Sequence, residues 1–329
     1  MALSRASEKR KHERKKLVKI LLLGAGAVGG YFGGRLAEAG ADVTFLVRPK
    51  RAELLAKTGL RISSRAGDVV LQPKCVVADQ VKPDYDIVMF TAKAYDLASA
   101  VDAIAPAMDG KRGHVLPLLN GMSHLDLLDA RFGRERVLGG VAYIASTLAP
   151  DGSIRHLEDF HSVAFGPRAP SQNAVCDAFA AAGAGAKTDF KRTDAIEQAM
   201  WDKWVLLAAL GGITCLMRAP VGDIVATGSG AKIALALLGE CAAVAAAEGF
   251  PTPPAVLANY RGRLTKQGSA LTASMLRDLE SGGQAEGEHI LGAMLATARK
   301  RSIAAPVLEI AATHLEAYAA RRVREAAGK

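Results

Sequence analysis

Residues 19–34 read KILLLGAGAVGGYFGG. A short apolar run that breaks into glycines and resumes with small and large apolar residues in helical spacing is the pattern of a buried strand turning directly into a helix. Gly24, Gly26 and Gly29 stand at the G-x-G-x-x-G spacing. In that setting the first glycine makes the turn, the second lets the backbone approach a pyrophosphate, and the third lets helix and strand pack closely. The helix N-terminus, from Ala27 and Val28 onward, then offers free N–H groups to the anion. The stretch predicts the first βαβ unit of a dinucleotide-binding domain; an ordinary glycine-rich turn is the blander reading.

Up to about residue 193 the chain keeps alternating short β-type runs with helix-type runs. DVTFLV (42–47), DIVMFTA (86–92) and HVLPLLN (114–120) join VKILLLG (18–24) as candidate strands, and YFGGRLAEAG is an amphipathic helical stretch between the first two. Apolar strands separated by helices predict a parallel, doubly wound Rossmann-type sheet. VLGGVAYIAS, SIRHLE and HSVAFG follow as strands with no helix between them, so the expectation is an antiparallel extension of that sheet. After Thr193 the periodicity turns helical, in TDAIEQAMWDKWVLLAAL, AKIALALLGECAAVAAAEG, PAVLANYRGRL and EHILGAMLATARKRS, with Ala and Leu dominating. The chain therefore divides into a tail (1–16), a Rossmann domain (17–193) and an all-α domain (194–329), with the default ligand cleft between the last two.

Half of the 329 residues are apolar, ample for large cores. The net charge of +9 is concentrated: the first nineteen residues hold eight Lys or Arg against Glu8 and Glu13, which accounts for +6. With aromatics at 5%, this is a weak case for a nucleic-acid partner. MALSRASEKRKHERKK reads as a solvated tail and not a signal peptide. No uninterrupted apolar run approaches the roughly 18 to 20 residues of a membrane span. Cys75, Cys176, Cys215 and Cys241 form no metal-ligand spacing or C-x-x-C pair. Reduced thiols of a cytoplasmic protein, with no metal, are the simplest account, and the Ala-rich helices admit a homodimer.

Two positions carry specific chemistry. The second strand ends in Arg48, followed by Lys50 and Arg51, where an NAD site would place a carboxylate on the ribose hydroxyls. An arginine there can pair with a 2′-phosphate, which favours NADPH over NADH, a solvated surface arginine being the other reading. In WDKWVLLAALGG (201–212), Lys203 shares a helix face with Ala199, Met200, Leu206, Leu207 and Leu210. An ammonium among those neighbours is costly unless it is paired or reaches water. It is either a core lysine snorkelling to solvent or a functional cation.

GAGAVGGYFG, TAKAYD, LLNG, WDKW and SMLRDLESGGQAEGEHILG, in that order, resemble the ketopantoate reductase (2-dehydropantoate 2-reductase) family along nearly the whole chain after the tail. The resemblance implies a Rossmann domain joined to a helical domain of the 6-phosphogluconate dehydrogenase type, and NADPH-dependent reduction of a 2-oxo acid. It implies that Lys93 and Asn120 follow the fourth and fifth strands of the sheet and line the nicotinamide side of the cleft. Lys203 is then the catalytic lysine, Glu286 the carboxylate beside it that fixes its ammonium, and Ser274 the hydroxyl on the substrate carboxylate. Each has a bland reading too: Asn120 as an Asn-Gly turn residue, Lys93 as a surface lysine, Glu286 as a loop carboxylate no more special than Glu288.

A lysine suits the implied reaction. Negative charge builds on the carbonyl oxygen as hydride reaches the carbon, and a cation there stabilises the transition state and can deliver the proton. The chain departs from the family where asparagines normally contact substrate: Leu207, Gly211, Leu271 and Leu291 occupy those positions. Loss of these amides weakens the case for ketopantoate itself and predicts a more apolar carbonyl substrate, with Arg218 as a candidate substitute for carboxylate binding. A non-catalytic NADPH sensor is a further reading, but such a protein has no chemical need for Lys203 and Glu286.

Overall fold

The structure is a computed structural model that describes residues 18–110 and 112–327. The basic tail expected at 1–16 lies outside the described residues. In chain order the first elements are β1 (Lys19–Leu23), α1 (Ala27–Glu38), β2 (Asp42–Leu46), α2 (Pro49–Thr58), β3 (Leu60–Ser63), β4 (Val69–Leu71), β5 (Lys74–Val76) and β6 (Ile87–Phe90). There follow α3 (Leu97–Met108), β7 (His114–Pro117), α4 (His124–Phe132), β8 (Gly139–Leu148), β9 (Ile154–Gly166), α5 (Asn173–Gly183) and β10 (Asp189–Arg192).

Among the described residues, five parallel strands form the first sheet in the order β5-β2-β1-β6-β7. The central β1 has Ile20, Leu21 and Leu22 fully buried, as a strand covered on both faces requires. The order reverses beside β1, whose two neighbours are β2 and β6, so the crevice at the carboxyl ends of β1 and β6 is the topological switch point where such sheets bind ligands.

The expected antiparallel extension is instead a second sheet, β10-β9-β3-β4, with β8 paired antiparallel to β9. SIRHLE and HSVAFG run together as the single strand β9, and its edges are claimed by β8, β3 and β10, which leaves none for the first sheet. Helix α1 lies between the two sheets, and its glycines explain how closely. A Cβ on Gly29 or Gly33 would fall within 2.4 Å of Thr91 or Leu22, and one on Gly30 or Gly34 within 2.5 Å of Ile154 or Ile62. Two glycine pairs four residues apart thus let one helix touch a sheet on each side.

The second half is helical: α6 (Ile196–Met217), α7 (Val221–Val225), α8 (Gly230–Ala247), α9 (Pro254–Leu264), α10 (Ser274–Glu280), α11 (Ala293–Lys300) and α12 (Pro306–Ala327). Helices α6 and α8 are long and apolar enough to cross a membrane by length and composition. Both nonetheless contribute to one packed core, α6 through Trp204, Val205, Ala208 and Ala209, α8 through Leu237, Leu238, Cys241 and Val244. The indole of Trp204 donates to Ile290 O at 3.0 Å, tying α6 to the segment before α11. The first turn of α6 instead packs Ile196 and Met200 into the core beneath the parallel sheet. One helix therefore belongs to both halves, and Lys203 sits where it passes from one to the other.

Candidate active site

The glycine turn does what its spacing predicts. Gly24 takes φ +86°, a left-handed conformation that only glycine adopts without strain. A Cβ on Gly29 would lie 2.6 Å from Gly24 O, so the third glycine is a contact between helix and strand. Gly26 is different: a Cβ there would meet nothing within 4 Å, so the residue borders open space at the N-terminus of α1. The first-turn amides of Ala27, Val28 and Gly29 have no carbonyl within the helix to bond. Open space beside free amides is the cradle a pyrophosphate needs, and the residues present fit a dinucleotide.

Two residues hold this turn: Thr91, not singled out from sequence, and Arg51, read there only as part of the basic run. The hydroxyl of Thr91, at the end of β6, donates to Leu23 O at 2.7 Å. The guanidinium of Arg51 donates to Ala25 O at 2.8 Å and to Gly152 O at 3.1 Å. Arg51 thus braces the turn against the β8–β9 loop and is not a free cation at the ribose end. Arg48 is free of such packing: its side chain is 82% exposed, and its Nη2 lies 3.3 Å from Asp96 Oδ2.

Lys203 has two acceptors, Asn120 Oδ1 at 3.0 Å and Ala142 O at 2.5 Å. Its Nζ also lies 5.6 Å from the centre of the Tyr143 ring, within reach of a cation–π attraction. Both acceptors are neutral and both come from the Rossmann half, Asn120 from the loop after β7 and Ala142 from β8. Asn120 is a turn residue as well: Gly121 follows at φ +74° and packs against His289. Burial lowers the Lys203 pKa to about 8, the negative charge of Glu286 opposing that fall. The ammonium has three N–H bonds, so one remains for a substrate oxygen.

Glu286 is not the group that positions this ammonium. It is 5% exposed, accepts from Ala94 N at 3.1 Å and stands 3.3 Å from Lys93 Nζ. The geometric reason is that Glu286 comes from the loop before the π-helical turn 288–292, which faces the end of β6, whereas Lys203 faces β7 and β8. Lys93 has a second carboxylate, Asp278 of α10, at 3.8 Å. Burial opposes the charge on Lys93, but Glu286 and Asp278 outweigh it and raise its pKa. Lys93 is therefore the partner of Glu286 across the domains. A cleft of about 580 Å³ opens beside them, lined by Ala94, Tyr95 and Ser123 from one half and Gln284, Glu286 and His289 from the other.

Ser274 is exposed at the first position of α10, the helix that brings Asp278 to Lys93. Leu207 is partly exposed on the Lys203 face of α6, while Gly211 is buried. A Cβ on Gly211 would lie 2.3 Å from Met275 Cε and 3.9 Å from Leu291, itself fully buried. The space that a side chain at 211 would need is thus filled by a methionine. Arg218 does not reach the site: it ends α6 in a left-handed conformation, is exposed and lies 4.0 Å from Glu280. Fifteen residues of helix separate it from Lys203, about 22 Å.

Comparison with known proteins agrees with this fold. The ketopantoate reductase PanE/ApbA family matches residues 20–170, and the C-terminal part of that family matches residues 195–319. An uncharacterised oxidoreductase of Bacillus subtilis strain 168, YkpB, is 39% identical over 93% of this chain and 100% of its own length. A PanE/ApbA family ketopantoate reductase from Ralstonia eutropha JMP134 superposes with a TM-score of 0.82 at 28% identity, over 93% of this chain and 99% of that one. D-mandelate dehydrogenase shares the fold with a TM-score of 0.82 at 21% identity, over 93% and 99% of the two chains. A Rossmann half and a helical half accordingly stand in a known lineage: the chain belongs to the ketopantoate reductase family of oxidoreductases.

Proposed function

We propose that the protein reduces a 2-oxo acid with an apolar side chain to the 2-hydroxy acid, with NADPH as reductant and Lys203 as general acid. The observation that carries this reading is the ammonium of Lys203, held by two neutral acceptors with one N–H unused and a pKa lowered to about 8. At pH 7 such a group is still about nine-tenths protonated, yet it is a far better acid than a surface lysine.

A nicotinamide bound beyond the glycine turn would supply the hydride to the carbonyl carbon. Lys203 directs its free N–H at the carbonyl oxygen, stabilises the charge that grows there and transfers the proton, ending as a neutral amine. Asn120 and Ala142 O keep Nζ at one point through this change, because each accepts from the amine as well as from the ammonium. Lys93 and Glu286 close the neighbouring side of the cleft as an ion pair and leave net charge there unchanged. Arg48 at the end of β2 is the cation for the 2′-phosphate.

The substrate class follows from the side chains on the lysine's helix face. Leu207, partly exposed one turn on from Lys203, offers no hydrogen-bonding group, and Gly211, Met275 and Leu291 behind it are buried and apolar, so this side of the site has no amide for a substrate hydroxyl and favours an apolar substrate. The fold accommodates such compounds, since D-mandelate dehydrogenase was solved with NADH and anilino(oxo)acetate. The test is a panel of 2-oxo acids, ketopantoate included, assayed with NADPH and with NADH through loss of reduced-nicotinamide absorbance. The expected result is turnover of branched or aromatic 2-oxo acids well above ketopantoate. Efficient turnover of ketopantoate overturns the apolar-substrate reading, and an unchanged rate in Lys203→Ala overturns the general acid.

A further inference from the structure

Arg48 and Asp96 approach each other from opposite sides of the glycine turn. Arg48 follows β2 and Asp96 stands just before α3, after β6, and these strands pair with the two opposite edges of β1. Their ion pair at 3.3 Å therefore crosses the carboxyl edge of the sheet in front of the β1 turn, over the mouth of the crevice. It is an open contact, with the two side chains 82% and 43% exposed. An exposed pair of this kind contributes little to stability, so the guanidinium can exchange partners readily.

We propose that Asp96 is a cofactor-selecting residue: it competes with a 2′-phosphate for Arg48 and keeps the site usable by NADH as well as NADPH. This rests on the reading of the glycine turn and Arg48 as the two ends of a dinucleotide site. The end of β2 runs Val47, Arg48, Pro49, Lys50 and Arg51, with no carboxylate of its own for the ribose hydroxyls. Asp96 brings one from the strand on the other side of β1. With a plain ribose, that carboxylate can accept a hydroxyl hydrogen while it keeps Arg48. With a 2′-phosphate on the same guanidinium, two anionic groups stand about 6 Å apart, a repulsion worth about five- to tenfold in affinity at low salt. Arg51 offers no relief, because it is already bonded to Ala25 O and Gly152 O.

The experiment is equilibrium binding of NADPH and NADH, and of 2′-AMP against 5′-AMP, by titration calorimetry on the full chain, with Asp96→Asn, Asp96→Glu and Arg48→Gln beside the wild type. The expected wild-type affinities for the two dinucleotides differ by less than about tenfold. Asp96→Asn tightens NADPH and 2′-AMP about fivefold without tightening NADH, the gain shrinks at high salt, and Asp96→Glu restores the wild-type ratio. Arg48→Gln weakens NADPH and spares NADH. The Asp96 side chain makes no capping bond to α3, so the asparagine variant keeps the fold, and its melting temperature serves as the control. An unchanged NADPH-to-NADH ratio in Asp96→Asn, with Arg48→Gln still selective, overturns the proposal and leaves the dinucleotide site standing. Failure of the wild type to bind either dinucleotide overturns both.

Discussion

Replacing Lys203 with methionine separates what this residue does for chemistry from what it does to stability. In the fold, burial brings the lysine down from its ordinary 10.5 to about 8. A lysine whose pKa falls on folding makes the unfolded chain the stronger proton binder between those two values, so stability rises with pH across that window. The penalty is fully present below about pH 8 and is lost as pH climbs toward 10.5. Between pH 7 and pH 10 the wild type should therefore gain about 2 to 3 kcal/mol relative to Lys203→Met, which has no proton to bind there. The loss of the bonds to Asn120 and Ala142 O shifts the variant's stability by a constant and does not touch this slope. Urea unfolding followed by tryptophan fluorescence is the direct assay, because the only two tryptophans, Trp201 and Trp204, flank Lys203 on α6. Activity moves the opposite way: the variant should lose about 10²- to 10⁴-fold in kcat at neutral pH. A stability difference that stays flat from pH 7 to 10 would refute the desolvated ammonium on which the mechanism rests.

Three further outcomes follow from particular contacts. Asn120→Ala removes an acceptor that favours the charged lysine, so the alkaline limb of the kcat–pH profile should move below about pH 8, with kcat down about tenfold or more. Gly26→Ala and Gly29→Ala should part ways: the first, bordering open space, keeps stability within about 0.5 kcal/mol yet weakens dinucleotide binding at least about tenfold, whereas the second drives a Cβ to 2.6 Å from Gly24 O and destabilises by about 1 to 3 kcal/mol. Melting curves and dinucleotide titrations check both. Met275→Ala opens the space beside Gly211, costs about 2 to 3 kcal/mol of stability, and should raise kcat/KM for bulkier 2-oxo acids relative to smaller ones.

The parallel sheet was legible because its longer strands are mostly apolar and its first turn is written in glycines. Lys203 was legible as an exception, one charge on an apolar face. The second sheet was not, and the reason is physical: β3 and β4 are four and three residues long, too short for alternation to register, and β3, which carries β4 on one edge, is held on the other by β9, far away in sequence. The pairing of Glu286 with Lys93 joins residues 193 positions apart, and nothing in either segment distinguishes that partner from Lys203. Arg48, Lys50 and Arg51 look alike as a basic run. Only the fold turns Arg51 inward to Ala25 O and leaves Arg48 across from Asp96.

Because both acceptors of Lys203 belong to the Rossmann half while the lysine rides on the first helix of the other half, the proposed acid of the reaction is also a pin between the domains. Any motion that draws α6 away from Asn120 and Ala142 returns the amine to water and to the proton affinity of an ordinary lysine. In the proposed mechanism the acidity of this residue is therefore a property of the joined halves, and a molecule opened at this contact would hold its proton as an ordinary lysine does.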